Sequence, residues 1–342
     1  MKKRLPLLLI LGTLAAAVAY TAVTTDKPKE FWAGLFLDGV TSGSLFALIA
    51  LGYTMVYGVL RMINFAHGEV FMIGSFAGWL VLKDVFGGDG MADALIVPAI
   101  AVAMLAAALA SAGAIVVIER VAYRPLRNAP RLAPLISAIG VSVFLQNLFL
   151  KLTAGRTEGY PRIFPQGPDE SIDIYFTEID YIQIFLIGSS IIMMLGLFMF
   201  VQRTRMGTSI RAVAEDREVA ALMGIDVNRV IVATFVIGAA LAGVAGVMWG
   251  LWLISINGTM GFVPGIKAFT AAVLGGIGNI PGAMAGGFLI GLSESLGREW
   301  LNDLFGLGLT NEWKDVVAFV VLVGVLLVRP TGILGEVVGK RA

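Results

Sequence analysis

The chain has 342 residues, 58% of them hydrophobic and 14% charged, with a mean hydropathy of +0.86. Soluble domains carry about 25% charged residues, so this is a polytopic membrane protein, and no stretch is polar enough for a separate soluble domain. The net charge of +1 gives no reason to expect a nucleic-acid partner, and zero cysteines with one histidine exclude disulfides, cysteine catalysis and thiolate or His-rich metal sites. No metal site and no cofactor are expected.

Met1–Arg4 is basic and Leu5–Thr25 uncharged. This fits a signal peptide, with small residues at Ala15–Ala17, and equally a first span with its N-terminus inside. A retained span is the better reading, because a polytopic inner-membrane protein needs no cleavage. The domain reading is therefore an extra N-terminal segment, 1–30, followed by a membrane domain, 31–342.

Gly39–Leu60 is an uncharged span, interrupted by Arg61–Glu69 (RMINFAHGE). Asn64 is placed to cap a helix over 65–82. Asn64, His67 and Glu69 either line a gate or vestibule, or cap the helix and snorkel at the interface. Ala94–Ile118 is a further span, and ERVAYRPLRNAPR at 119–131 is a basic loop. Leu132–Leu150 follows, with Ser137, Gln146 and Asn147 expected to bond between helices rather than touch solute. The acidic, Pro- and Gly-punctuated stretch 153–180 reads as external, and Tyr181–Gln202 as the next span. Placing Met1–Arg4 inside puts 119–131 and 202–229 on the cytoplasmic side and 153–180 outside, as charge bias requires.

The loop 202–229 carries arginines 203, 205, 211, 217 and 229 and is patterned as a helix. Asp216 caps a short helix, Arg217–Met223, with Val219, Leu222 and Met223 on one stripe and Gly224 at its stop. It either docks on a partner or lies in the lipid interface. Beyond it, 230–266 is uncharged. The apolar run 268–293 is expected to reverse at GGIGNIPG, 275–282, leaving 297–315 as an external loop and the basic tail Arg329–Arg341 inside. Glu294 is an intramembrane acid or an interfacial one. Gly275, Gly276, Asn279 and Pro281 would turn two half-helices toward a cavity, where helix N-termini favour a carboxylate. V59-L60-x-x-I63-N64-F65 echoes V273-L274-x-x-I277-G278-N279-I280. Interrupted segments in matching halves point to a transport pathway, and chance is the alternative. The fold expected is all-α and polytopic, with about nine or ten membrane segments, some short or broken, and a two-fold internal repeat as one reading.

No G-x-x-x-x-G-K-[ST] string occurs, so any ATP used must be hydrolysed by another subunit. No Ser/His/Asp nucleophile set is present, which leaves a membrane enzyme without a catalytic constellation. A self-sufficient secondary transporter or channel would need buried coupling carboxylates, of which few are seen.

E-V-A-A-L-M-G-I at 218–225 resembles the EAA-type coupling loop of ABC importer permeases, although the Ile-x-Leu-Pro that often follows is replaced around Thr234-Phe235. That resemblance implies ATPase coupling by Glu218, Val219, Ala220, Ala221, Leu222, Met223 and Gly224. GYTMVYGVLRMINFAHGEVFMIGSF (52–76), ERVAYRPLR (119–127), PLISAIGVSVFLQN (134–147), MGTSIRAVAEDREVAALMGIDVNRVIVATFVIGAALAGVAG (206–246), GIKAFTAAVLGGIGNIPGAMAGG (265–287) and PTGILG (330–335) resemble the H-type permeases of high-affinity branched-chain amino acid ABC transporters, the LIV-type family. Residues 1–30 are additional to the family pattern. The resemblance implies a bacterial inner-membrane permease paired with an M-type permease, two cytoplasmic ATP-binding subunits and a periplasmic solute-binding protein. Relatives for urea, short amides or other amino acids share these strings, so the substrate stays open within that range.

Overall fold

The computed structural model describes residues 27–335 except 90, 128, 131, 165–170, 175, 176, 307, 309, 311 and 312. The signal-or-span segment 1–26 and the end of the basic tail, 336–342, lie outside the described residues. Among those described, eleven helices carry the fold. They are α1 Lys29–Leu60, α2 His67–Leu80, α3 Asp93–Ile118, α4 Leu132–Leu152, α5 Tyr181–Arg203, α6 Arg205–Glu215, α7 Arg217–Leu222, α8 Val227–Leu253, α9 Phe262–Gly275, α10 Ile280–Phe305 and α11 Trp313–Val328. Two small antiparallel ribbons complete it: β1 Glu158–Gly159 with β4 Ser255–Ile256, and β2 Ser171–Ile174 with β3 Thr177–Asp180. The chain is an all-α polytopic membrane protein.

Composition along each helix sets its place. α1 is 32 residues long, about 48 Å at 1.5 Å per residue, and Leu45–Leu51 are buried on every side. It and α8 form the centre. In α3, α4 and α5 one face stays apolar and exposed (Val97, Leu105, Leu109, Ile136, Phe144, Ile192). In lipid such a face needs no cover.

Small residues let the inner helices touch. Gly39 and Gly43 of α1 face Gly287 and Gly291 of α10, two G-x-x-x-G pairs meeting each other. A Cβ on Gly291 would stand 2.3 Å from the Gly43 nitrogen. Without a hydrophobic drive between helices in lipid, close backbone packing of this kind is what holds a bundle.

Two chain breaks share one geometry. α1 ends at Arg61 in the left-handed region (φ 53°, ψ 31°), and 61–66 lead into α2. α8 ends at Ile254 in the same region (φ 55°, ψ 23°), and 254–261 lead into α9. The N-termini of α2 and α9 then meet: a Cβ on Gly68 would lie 2.3 Å from the Gly261 carbonyl oxygen, and one on Gly261 would lie 2.3 Å from that of Gly68. The surroundings correspond as well. α1 packs on α10 as α8 packs on α3, and α2 packs on α3 as α9 packs on α10.

Several expectations are corrected. Asn64 does not cap α2. The N-cap is Ala66, and no side chain bonds to it. The echo of 59–65 in 273–280 is not confirmed as a repeat, because its two strings sit in different settings. The first follows a 32-residue helix, the second a 14-residue one. The polar stretch expected as a loop from 297 is helical to Phe305. Its charges are paired rather than solvated: Lys27 Nζ meets Glu299 Oε2 at 2.8 Å and Asp303 Oδ1 at 2.9 Å. The reversal at 275–282 does occur, between α9 and α10.

Candidate functional site

The residues at the first break are buried. Asn64, His67 and Glu69 are 1%, 2% and 1% exposed, so neither snorkelling nor an open vestibule describes their place in this chain. Asn64 Oδ1 accepts a 2.6 Å hydrogen bond from the Tyr123 hydroxyl, and the Tyr123 ring stacks on Phe235 at 5.7 Å. The His67 ring stands edge-on to Tyr53 at 4.7 Å and fills the notch left by Gly52, where a Cβ would be 2.3 Å from Nε2. Glu69 Oε1 accepts from Gln146 Nε2 (2.9 Å) and Ser142 Oγ (3.1 Å) of α4. Among the described residues its other oxygen has no hydrogen-bond partner, and it points at Gly261, 2.9 Å from where a Cβ would stand. The carboxylate thus lies between two helix N-termini, whose partial positive charge favours it.

Of the polar residues in α4, Gln146 bonds between helices as expected and Ser137 reaches the Ala122 carbonyl. Asn147 bonds to Val143 of its own helix. Glu294 is buried and paired with Lys267 at 3.0 Å, which also meets Asp315 at 2.7 Å.

At the α9–α10 turn, Asn279 Oδ1 caps α10 by accepting from the Gly282 N–H (2.9 Å), and Pro281 stands in the first turn. Asn279 Nδ2 donates to the Leu334 carbonyl (2.9 Å), and the Ile333 and Leu334 N–H groups donate to Leu274 and Gly275. Gly276, at φ +104°, has Gly335 against it. The PTGILG string therefore closes this turn. Gly275, Gly276, Asn279 and Pro281 belong to one joint, separate from Asn64, His67 and Glu69.

The loop helix forms as its sequence dictates. Asp216 Oδ1 accepts from the Glu218 and Val219 N–H groups, and Gly224 takes φ +83° after the last turn. Ala220 is buried, while Val219, Leu222 and Met223 are 54%, 86% and 78% exposed. Glu218, Ala221 and Gly224 are exposed too. An apolar stripe thus faces outward from the arginine-rich end of the molecule.

Sequence reasoning missed the grip on this helix. Arg217 Nε and Nη2 both donate to the Val59 carbonyl of α1, at 3.0 and 2.6 Å. Burial, then the nearby Arg127 and Arg61 cations, press the Arg217 guanidinium below its usual pKa. The carbonyl end of α1 offsets that repulsion. Arg127 is itself bonded to Glu119 and to Asn228 Oδ1 (2.6 Å). Tyr123 was missed as well; the available signal was a lone aromatic inside a basic loop.

Comparison with known proteins shows the family to which the chain belongs. The chain is 48% identical over 306 residues to the high-affinity branched-chain amino acid transport system permease protein BraD of Pseudomonas aeruginosa, covering 88% of this chain and 94% of that one. It is 48% identical over 311 residues to the corresponding permease LivH of Escherichia coli K12, covering 87% and 94%. It is 30% identical over 318 residues to the probable branched-chain amino acid transport permease LivH of Methanocaldococcus jannaschii, covering 90% and 94%. A family model described as the permease component of branched-chain amino acid transport systems matches residues 35–326, and the chain belongs to that family.

Proposed function

We propose that this chain is the transmembrane permease subunit of a binding-protein-dependent ABC importer for branched-chain amino acids in the bacterial inner membrane. It pairs with an M-type permease, two cytoplasmic ATP-binding subunits and a periplasmic solute-binding protein. The observation that carries this reading is the identity to BraD and LivH across almost the whole chain. The outward stripe on α7 supports it, because an apolar stripe on a short polar loop fits a groove on a partner. The loops 119–131 and 202–229 are cytoplasmic in this reading and 153–180 is periplasmic. The breaks after α1 and α8 share one backbone geometry and meet where α2 and α9 begin.

The test is reconstitution of the assembled complex with uptake of leucine, isoleucine, valine, urea and a short amide measured in parallel. Branched-chain uptake that requires ATP and the binding protein is the expected result. Uptake by this chain alone would instead indicate a self-sufficient transporter or channel, and selective urea or amide uptake would move the substrate. In the same complex, Leu222→Asp and Gly224→Val should leave the permease inserted while releasing the ATPase or uncoupling it. Nothing lies within 4 Å of a Cβ at Gly224, so the second change acts through backbone strain of about 1 kcal/mol or more.

A further inference from the structure

We propose that Arg217 is the positioning residue that links α7 to the first chain break, so that a displacement of α7 is delivered to the end of α1 and segment 61–66. This rests on the importer reading above and adds to it the route by which the loop reaches the membrane interior.

The argument starts from how little else holds α7. The helix has six residues and buries one side chain, Ala220. Its stripe faces away from the molecule. Arg217, at its first position, turns inward and gives two N–H groups to the Val59 carbonyl, 158 residues away in the chain.

That carbonyl occupies a particular place. The last carbonyls of a helix lack intrahelical partners. At the end of α1 the Tyr57 carbonyl is taken by the Arg61 N–H, while Val59 is met by Arg217. Two residues later the chain turns left-handed at Arg61 and enters 61–66. Asn64 in that segment is held by Tyr123, and α2 begins at His67 against the start of α9. The forked contact therefore lies one turn from the break that leads to the α2–α9 junction. Neighbouring cations Arg61 and Arg127 repel the guanidinium. Two N–H donors on the one Val59 carbonyl nevertheless make the attachment a restrained contact and not a solvated charge resting on the surface.

The experiment uses the assembled complex with its own ATP-binding subunits and binding protein, in liposomes. Arg217→Ala should retain the ATP-binding subunits and hydrolyse ATP. Its uptake per ATP should fall by about tenfold or more, the scale of a lost charge-assisted hydrogen bond. Arg217→Lys, with one donor group where Arg has a fork, should recover part of it. A second readout reports the break itself. The chain has no cysteine, so Met62→Cys is a unique thiol on segment 61–66. In an otherwise unchanged complex its labelling rate should differ between the nucleotide-free state and an ATP-bound state blocked in hydrolysis, and Arg217→Ala should remove that difference. Should Arg217→Ala not insert, Arg217→Lys carries the same two readouts. Unchanged uptake per ATP, or labelling at position 62 that responds equally with and without Arg217, overturns the link while leaving the importer reading intact. An unmodified complex that neither binds ATPase subunits nor transports overturns the importer reading instead.

Discussion

The two chain breaks have nearly the same backbone and are held in opposite ways. At the first, side chains hold the chain: Arg217 on the Val59 carbonyl, and Tyr123 on Asn64. At the second, backbone does so. The Tyr160 N–H donates to the Ile254 carbonyl at 3.0 Å, and Glu158 and Gly159 pair with Ile256 and Ser255. Each grip comes from a loop at its own end of the bundle. Arg217 of loop 204–226 and Tyr123, just after α3, grip the first, and residues 158–160, between α4 and α5, grip the second. A hold made of side chains yields when one donor moves, whereas a backbone ribbon moves as a piece. The difference suits a first break that is adjusted from the arginine-rich end and a second that follows whatever displaces its loop.

The largest effect is expected where the two breaks meet. Gly68 and Gly261 each lie against the other's carbonyl, with a Cβ reaching 2.3 Å in both directions. Overpacking usually costs about 1–3 kcal/mol, and here backbone rather than a flexible side chain must give way. Gly68→Val and Gly261→Val should each prevent recovery of monodisperse permease from detergent, to a similar degree. Tolerance of one but not the other would break the correspondence between the two junctions.

Much of this fold was legible in the sequence because lipid restricts the solutions. Long uncharged runs must be helices, and α3, α4 and α5 follow the hydropathy closely. Asp216 and Gly224 declared local structure through capping and left-handed chemistry, and each stands where those rules put it. The breaks were legible only by halves. Arg61–Glu69 announces itself by charge, but 254–261 is uncharged and hidden inside 230–266. The conspicuous Gly and Pro therefore point to 273–280 as the partner of the first break. Nor does local sequence reveal that Asn64 faces Tyr123 or that Arg217 reaches Val59. Those contacts join residues 59 and 158 positions apart, and a polar residue beside a helix start looks like a cap until its long-range partner is known.

A middle-sized effect separates the breaks. Tyr123→Phe keeps the ring that stacks on Phe235 and removes the hydroxyl bonded to Asn64 Oδ1. Among the described residues Asn64 Nδ2 is buried without a partner, so the amide would lose its hydrogen bond to Tyr123. A buried acceptor left unpaired costs about 1–3 kcal/mol. The variant should melt several degrees lower and disturb labelling of Met62→Cys on the first break. Labelling of a cysteine at Ser255, on the second, should stay as it was. A change confined to the second break would show that Tyr123 acts through general packing.

The smallest effect tests the backbone hold. The Tyr160 hydroxyl reaches the Ser75 carbonyl only at 3.4 Å, too long for a strong O–H···O bond. The ring, by contrast, fills the space beside Gly250, where a Cβ would come within 2.4 Å of it, and the Tyr160 N–H holds Ile254. Tyr160→Phe keeps both the ring and the N–H. It should shift stability by no more than about 0.5 kcal/mol, as should Glu158→Ala, whose ribbon pairing is made by backbone alone. Thermal unfolding in detergent measures both. The contrast with Tyr123→Phe is the point of the pair: each substitution deletes a tyrosine hydroxyl beside a chain break, but only one of those hydroxyls is the grip. A loss from Tyr160→Phe as large as that from Tyr123→Phe would mean that the second break is also held by side chains, and the asymmetry between the two ends of the molecule would be lost.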